Sequence, residues 1–405
     1  MIDRRWFAAL ALLLPAPGPS PAAALKFERI VVDADFPDGY QVEVADVNGD
    51  GKPDLVGVGG GTCAWYENPS WKKRVVSTPK ETPDIISSAT ADLDGDGKAE
   101  IAIAYDFAMN EPKRGKLTLA IQGREPGQPW RFDPAIRGIS EYGSIHRLRW
   151  GRFYEQDGRT DLVIAPLFSP KSRPPAYEGE GNLMILPGVQ PHSERLVQNA
   201  YDFFQARTIL HAIDVVDVDG DGRSEILTAD GLGVSLLRPG RDEHFQHWPI
   251  EPLVPGAPGA APKRGCSEVH LGRFKDGRRF LATVEPWHGT DVAIYASESL
   301  KPLKFGPRTL IDDTLDDGHA LWIADVDGDG DDEVFAGHRG KDARVSVYRY
   351  ESGKWDRTAI DREITAQDLR GGDLDGDGVP DVVAIGGQSH NVVWYRPIRD
   401  KPAAK

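Results

Sequence analysis

The sequence predicts an all-β protein, a seven-bladed β-propeller built from four-stranded antiparallel blades, and three observations predict it. A nine-residue acidic motif recurs along the chain. Each copy lies between short β-branched or aromatic runs bounded by glycine, and the copies are spaced by about the length of one four-stranded sheet.

Residues 1–24 read as a secretory signal peptide. Arg4 and Arg5 precede the apolar run "WFAALALLL", and Ala22, Ala23 and Ala24 supply a small-residue cleavage site after Ala24. The run stops at Pro15, short of the roughly 20 apolar residues that span a bilayer. Arg4, Arg5 and Phe7 also follow a twin-arginine signal, with Asp3 where Ser or Thr is usual. Export to the periplasm or the extracellular space is the expectation, with no membrane span in the mature chain.

Residues 25–398 form the propeller, and 399–405 a polar tail. The motif D-x-[DN]-G-D-G-x-x-[DE] appears as "DVNGDGKPD" from Asp46, "DLDGDGKAE" from Asp92, "DVDGDGRSE" from Asp217, "DVDGDGDDE" from Asp325 and "DLDGDGVPD" from Asp373. Two worn copies fill the gaps: "GRFYEQDGRTD" from Gly151 keeps Asp157 and Asp161, and "GRFKDGRRF" from Gly272 keeps Asp276. The seven starts are separated by 46, 59, 66, 55, 53 and 48 residues. In the first unit the strands are "YQVEVADV", "DLVGVGG", "CAWYENP" and "KRVVST", the acidic motif joining the first to the second. The last unit lacks a fourth strand. "KFERIVVD", near residue 26, matches the fourth strands "KWDRTAID" and "KKRVVSTP", so it is expected to close the ring by pairing with the final blade.

Alternate carboxylates with glycines between them suit a hard cation, as in an EF-hand loop, but the frame differs. The closing acid, which an EF-hand keeps at position 12, sits at position 9, and the flanks are strands. The expected calcium ligands are Asp46, Asn48, Asp50 and Asp54; Asp92, Asp94, Asp96 and Glu100; Asp217, Asp219, Asp221 and Glu225; Asp325, Asp327, Asp329 and Glu333; and Asp373, Asp375, Asp377 and Asp381, with the carbonyl of position 7 added in each. Five calcium sites follow, magnesium being the second choice, and no ion is expected in the worn loops. Removing these nineteen carboxylates from the net charge of −15 leaves +4, so the acidity lies in the loops. No basic patch supports nucleic-acid binding.

The rim opposite the acidic loops carries the long insertions, from residues 105, 166 and 249. Histidines gather there too. His146, His211 and His319 lie five or six residues before their loop starts, while His288, His338 and His390 lie in turns between second and third strands. His146, His211 and His319 are the candidate zinc ligands, and Glu285, His288, His338 and His390 the candidate catalytic residues, Glu285 as a base. The two cysteines, Cys63 and Cys266, fall on blades that are not neighbours, so no bridge is expected. Trp65, Trp322, Trp355 and Trp394 recur at matching positions and read as blade packing, Trp287 and Trp150 less so.

With these residues in view, the chain resembles the FG-GAP or VCBS repeat proteins, propellers with calcium loops. The segments "ATVEPWHGTDVAIY", "LDDGHALWIADVDGDGDDEVFAGHRGK" and "GGDLDGDGVPDVVAIGGQSHNVVWY" also resemble the propeller of the aldos-2-ulose dehydratase family. That resemblance implies zinc-dependent loss of water from a keto-sugar at the rim. The family continues into cupin domains, so isomerase activity tied to those domains is not expected. The alternative is a non-catalytic, calcium-stabilised propeller that binds a glycan or a protein partner.

Overall fold

The computed structural model describes residues 25–123, 128–133, 136–137, 143–153, 160–179, 181–191, 195–196, 201–205, 209–239 and 248–399. The expected signal peptide and Asp157 of the worn third loop lie outside these residues. Every named element among them is a strand, and no helix is long and apolar enough to cross a membrane.

Seven antiparallel sheets follow one another along the chain, most strands pairing with a sequence neighbour, and a separate parallel pair joins Ile136–Arg137 to Arg195–Leu196. The second strands sit between two other blades and are buried at every position in Asp54–Gly59, Glu225–Asp230, Glu333–His338 and Asp381–Gly386. Burial on both faces is why these strands read as continuous apolar runs without alternation. The core lies between blades. Leu148, Ile164 and Met184 of the third pack on Ala102 and Leu119 of the second, and Phe36, Val42 and Leu55 pack on Val383, Ile385 and Trp394 of the seventh.

The last sheet contains Ala366–Gly372, Asp381–Gly386 and Val392–Ile398, and its fourth strand is Lys26–Asp33 from the other end of the chain. The pairing runs antiparallel from Lys26 opposite Ile398 to Asp33 opposite Val392, with a bulge after Val31. The fifth blade divides its outer position. The long strand Asp291–Leu300 pairs with Leu303–Phe305 at one end and with Thr309–Asp312 at the other.

A repeated latch ties blade to blade. Asp33, Asp312 and Asp361 end fourth strands and each accepts a hydrogen bond from a tyrosine on the next blade's third strand: Tyr66 at 2.5 Å, Tyr348 at 2.6 Å and Tyr395 at 2.7 Å. A cation on the next blade's outer strand completes each latch: Lys73, Arg357 and Arg29 respectively, at 2.8, 2.8 and 2.7 Å. The tyrosines are buried, so each carboxylate satisfies a phenol that would otherwise be costly to enclose.

Candidate functional site

The acidic loops join first to second strands at one end of the ring. In all five the amide of position 6 donates to the first aspartate's Oδ2, at 2.8 to 3.1 Å. The amide of position 2 donates to the carboxylate of position 9, at 2.7 to 3.0 Å. Glycines at positions 4 and 6 adopt φ of 75° and 92° in the loop from Asp325, a left-handed path that other residues resist. Ligand oxygens converge within 4.8 Å in Asp92, Asp94 and Asp96; in Asp217, Asp219 and Glu225; in Asp325, Asp327 and Glu333; and in Asp373, Asp375 and Asp381. Among the described residues, the three carboxylates of the first loop, Asp46, Asp50 and Asp54, do not form such a group.

These carboxylates are under electrostatic stress. Burial, reinforced by the neighbouring loop acids, pushes Glu333 up to about 8, Glu100 and Glu225 to about 7, and Asp54 and Asp381 to about 6. Glu333 Oε1 and Asp373 Oδ1 are buried and make no hydrogen bond. Converging carboxylates with buried oxygens of this kind are the hard donor set that divalent cations prefer. Arginines relieve part of the charge, Arg349 lying 2.7 Å from Asp327 and Arg238 3.3 Å from Asp219. In the worn loop from Gly272, Asp276 instead pairs with Arg278 at 2.8 Å.

At the opposite end, the first strands open into the channel at Tyr40, His146, His211, His319 and Gln367, which occupy equivalent positions on five blades. A shared hydrogen bond orients the imidazoles. Nδ1 of His146 donates to the His211 carbonyl at 2.8 Å, Nδ1 of His211 to the Ser267 carbonyl at 2.9 Å, and Nδ1 of His319 to the Gln367 carbonyl at 2.6 Å. A carbonyl can only accept, so each Nδ1 carries the proton and each Nε2 keeps its lone pair. His288 joins from the turn after Arg279–Glu285, at φ of 49°. Ring centroids of His211 lie 4.6 Å from His146, 5.2 Å from His288 and 4.9 Å from His319.

The structure therefore brings together a different trio from the expected one. His211, His288 and His319 offer ligand atoms within 4.8 Å of one another. His146 stands beside them, but its Nε2 is occupied by the Tyr40 hydroxyl at 2.6 Å and Arg147 at 3.2 Å. His211 Nε2 is buried and has no hydrogen-bond partner. Burial first, and neighbouring cations and imidazoles after it, depress the pKa values of His146, His288 and His319 well below the ordinary range. Burial also lowers His211, against the pull of Glu268, whose carboxylate is 3.1 Å from Nδ1. All four rings are neutral, the form that ligates metal. A carboxylate behind a ligating imidazole is the usual supporting partner of such a centre.

Three of the other candidate catalytic residues stand apart. Glu285 is fully buried; its carboxylate accepts from Thr283 at 2.7 Å, Tyr295 at 2.8 Å and Arg308 at 2.6 Å. It fills within the fifth blade the part that aspartates play in the other latches, which removes it as a base. His338 is buried between the Asp316 backbone and Arg344, the latter 3.0 Å from Nε2. His390 is half-exposed beside Asp38 and accepts that residue's amide at 3.2 Å. The segment from 249 begins not as a loop but as the strand Ile250–Val254. The loop after it reaches the rim, where Lys263 donates to the carbonyls of Trp287 at 2.8 Å and His288 at 3.3 Å. Arg339 closes the other side, 3.1 Å from His288 Nδ1, held by Asp317 at 2.7 Å and Gln367 at 2.9 Å. Beyond Trp287, Phe168 and Tyr177 stack at 4.4 Å and line a cavity of about 390 Å³. Cys63 and Cys266 are free and buried.

Comparison with known proteins fits this architecture. The FG-GAP-like repeat family matches residues 35–103 and 325–384. The chain is a seven-bladed β-propeller carrying FG-GAP-like repeats. It resembles aldos-2-ulose dehydratase of Phanerodontia chrysosporium, with 26% identity over 372 residues, covering 82% of this chain and 40% of that enzyme. The chain thus spans well under half the length of this curated relative. Solved structures share the fold alone. BBS1N, from its complex with ARL6DN, superposes with a TM-score of 0.53 at 14% identity, over 92% of this chain and 97% of its own. A chain of the mitotic checkpoint complex gives 0.56 at 13% identity, over 97% and 99%.

Proposed function

We propose that the protein is an exported, calcium-binding propeller that acts as a metal-dependent carbohydrate lyase, removing water from an oxidised (keto) sugar at the rim opposite the acidic loops. The observation that carries this reading is the convergence of His211, His288 and His319, two of them with Nδ1 committed to a backbone carbonyl and one with an orphaned, buried Nε2. Three neutral imidazoles suit zinc, which can expand to five-coordinate when a substrate oxygen joins its protein ligands. Zinc bound there would polarise a ketone oxygen as a Lewis acid. The likeness to a named dehydratase supports the choice of substrate class.

The chain's own residues would hold and orient the sugar. Trp287 offers an indole, and Lys263 and Arg339 place positive charge at the mouth where ketone and hydroxyl oxygens gain negative character. In the elimination, the proton beside the ketone is taken off and passed to the hydroxyl one carbon further, which departs as water as a carbon–carbon double bond forms between the two carbons, so the sugar loses one H and one OH and nothing else. The acidic loops serve as calcium staples, supported by Glu333 and Asp373, whose free buried oxygens point to a missing positive partner. Export rests on residues 1–24, and the mature N-terminus of secreted protein tests it.

The catalytic reading is tested by incubating purified protein with 2-keto sugars and following the unsaturated product. Turnover that vanishes in His211→Ala, while the variant still melts cooperatively and is still stabilised by calcium, is the expected result. A zinc-free parent without turnover on any keto-sugar would leave a glycan-binding or protein-binding propeller as the better reading.

A further inference from the structure

The geometry points to Tyr40 as a fourth protein ligand of the metal held by His211, His288 and His319, with His146 as the residue that orients the phenol. This inference rests on the histidine centre proposed above and adds a residue type that histidine and carboxylate patterns do not reveal.

The argument starts from protons. His146 Nδ1 donates to the His211 carbonyl at 2.8 Å, so its Nε2 is an acceptor. The Tyr40 hydroxyl is 2.6 Å from that Nε2 and donates to it. Tyr40 has only that one proton. Its oxygen nevertheless also lies 3.3 Å from His319 Nε2, which carries a lone pair because Nδ1 donates to the Gln367 carbonyl at 2.6 Å. Arg147 Nη1 lies 3.2 Å from the same His146 Nε2, so a single phenol proton and one guanidinium donor are shared among crowded acceptors, and the Tyr40 oxygen and His319 Nε2 face one another at the spacing of two ligands of one ion.

Distance agrees with a metal in that place. Two ligands of one tetrahedral zinc, each at roughly 2.0–2.1 Å, lie about 3.3 Å apart. Tyr40 is also fixed in place: its ring meets His146 and His319 edge-on at 5.9 and 5.3 Å, and the Arg147 guanidinium lies over it at 5.4 Å. Arg147 in turn is paired with Glu268, the carboxylate behind His211. A bound ion and His146 would draw on the phenol together, the ion on its oxygen and the imidazole on its proton, which gives the oxygen phenolate character. No proton leaves the site; it stays in the hydrogen bond between Tyr40 and His146.

The test is metal binding and spectroscopy on the full protein with calcium present. Copper(II) serves as the probe, because it binds such sites strongly and shows a visible charge-transfer band when tyrosine coordinates. The parent is expected to bind one rim copper with that band. Tyr40→Phe should retain the rim copper, lose the band, and hold zinc at least about tenfold more weakly in competition with a chelator. His146→Gln should diminish the band while leaving the three-histidine site able to bind. Melting in calcium checks that each variant is folded. Equal zinc affinity and an unchanged band in Tyr40→Phe would overturn the role of Tyr40 and leave the histidine centre standing. A parent whose copper and zinc uptake is identical to that of His211→Ala would overturn both.

Discussion

Replacing Glu333 with glutamine should reverse the order of stability between calcium and chelator. Glu333 Oε2 accepts the Val326 amide at 3.0 Å, a bond that an amide oxygen can keep, and Oε1 is buried without a partner. Burial, and then Asp327, lift the carboxyl from 4.5 to about 8. With the ion stripped away, the folded protein at pH 7 must hold a proton there that the unfolded chain releases near 4.5. That mismatch destabilises the ion-free fold by about 3 kcal/mol at pH 7 as an upper bound. The sign is that of a raised acid: the penalty is absent below 4.5 and grows as pH rises toward about 8. The glutamine side chain has no proton to hold, and its amide hydrogens can face Asp325 and Asp327. The variant should therefore be more stable than the parent in chelator at pH 7. In calcium the order inverts, because a site saturated at about 100 times its dissociation constant contributes about 2.7 kcal/mol and the variant weakens it. Chemical denaturation of both proteins in calcium and in chelator gives the four stabilities. A variant less stable by the same amount in both conditions would refute the account of the acidic loop as a charge cluster built for a cation.

Other consequences of the fold are as direct. Deleting residues 25–33 removes the whole strand Lys26–Asp33 and bares the edge of Val392–Ile398, so the truncated protein should aggregate or be cut early by protease; one as soluble and resistant as the parent would contradict ring closure by that strand. Asp312 is held at about 2, its burial opposing and the bonds from Thr314, Tyr348 and Arg357 overcoming that opposition. Its contribution, about 2 kcal/mol, is complete above 3.8 and fades as pH falls toward 2, so Asp312→Asn should flatten the acid limb of the stability profile, and an unchanged limb would count against the latch. Tyr395→Phe strips one donor from the buried Asp361 and should lower stability by about 1–3 kcal/mol in denaturant melts.

The ring was legible in the sequence because its signals are local. Nine consecutive residues from Asp325 state both the turn and its converging carboxylates, and the fully buried run "EVFAGH" states the strand that follows. The pairing of "KFERIVVD" with the last blade was legible through its match to other outer strands, a comparison between repeats. The latches were present in the same comparison, as the aspartate ending "KFERIVVD" and "KWDRTAID" and the tyrosine of "AWY" and "VWY", but their pairing crosses from one blade to the next. The rim was read less well, for two physical reasons. His146 and His319 occupy equivalent strand positions, yet Tyr40 takes His146 Nε2, and a hydrogen bond between residues 106 apart leaves no trace in local spacing. His288 enters through a left-handed turn instead of a strand, and its sequence neighbour Glu285 is drawn into the blade by Tyr295 and Arg308. Equivalent positions on different blades place the histidines at one rim; side-chain partnerships decide which imidazoles lie together there.

Elemental analysis of purified protein, parent beside His211→Ala, tests the central claim most directly. Opposite faces bearing different metals predict calcium in both proteins and one zinc per chain in the parent alone, with the calcium content of the variant unchanged and its melt still cooperative and calcium-dependent. Zinc absent from the parent even after reconstitution, or retained in full by His211→Ala, would contradict the claim.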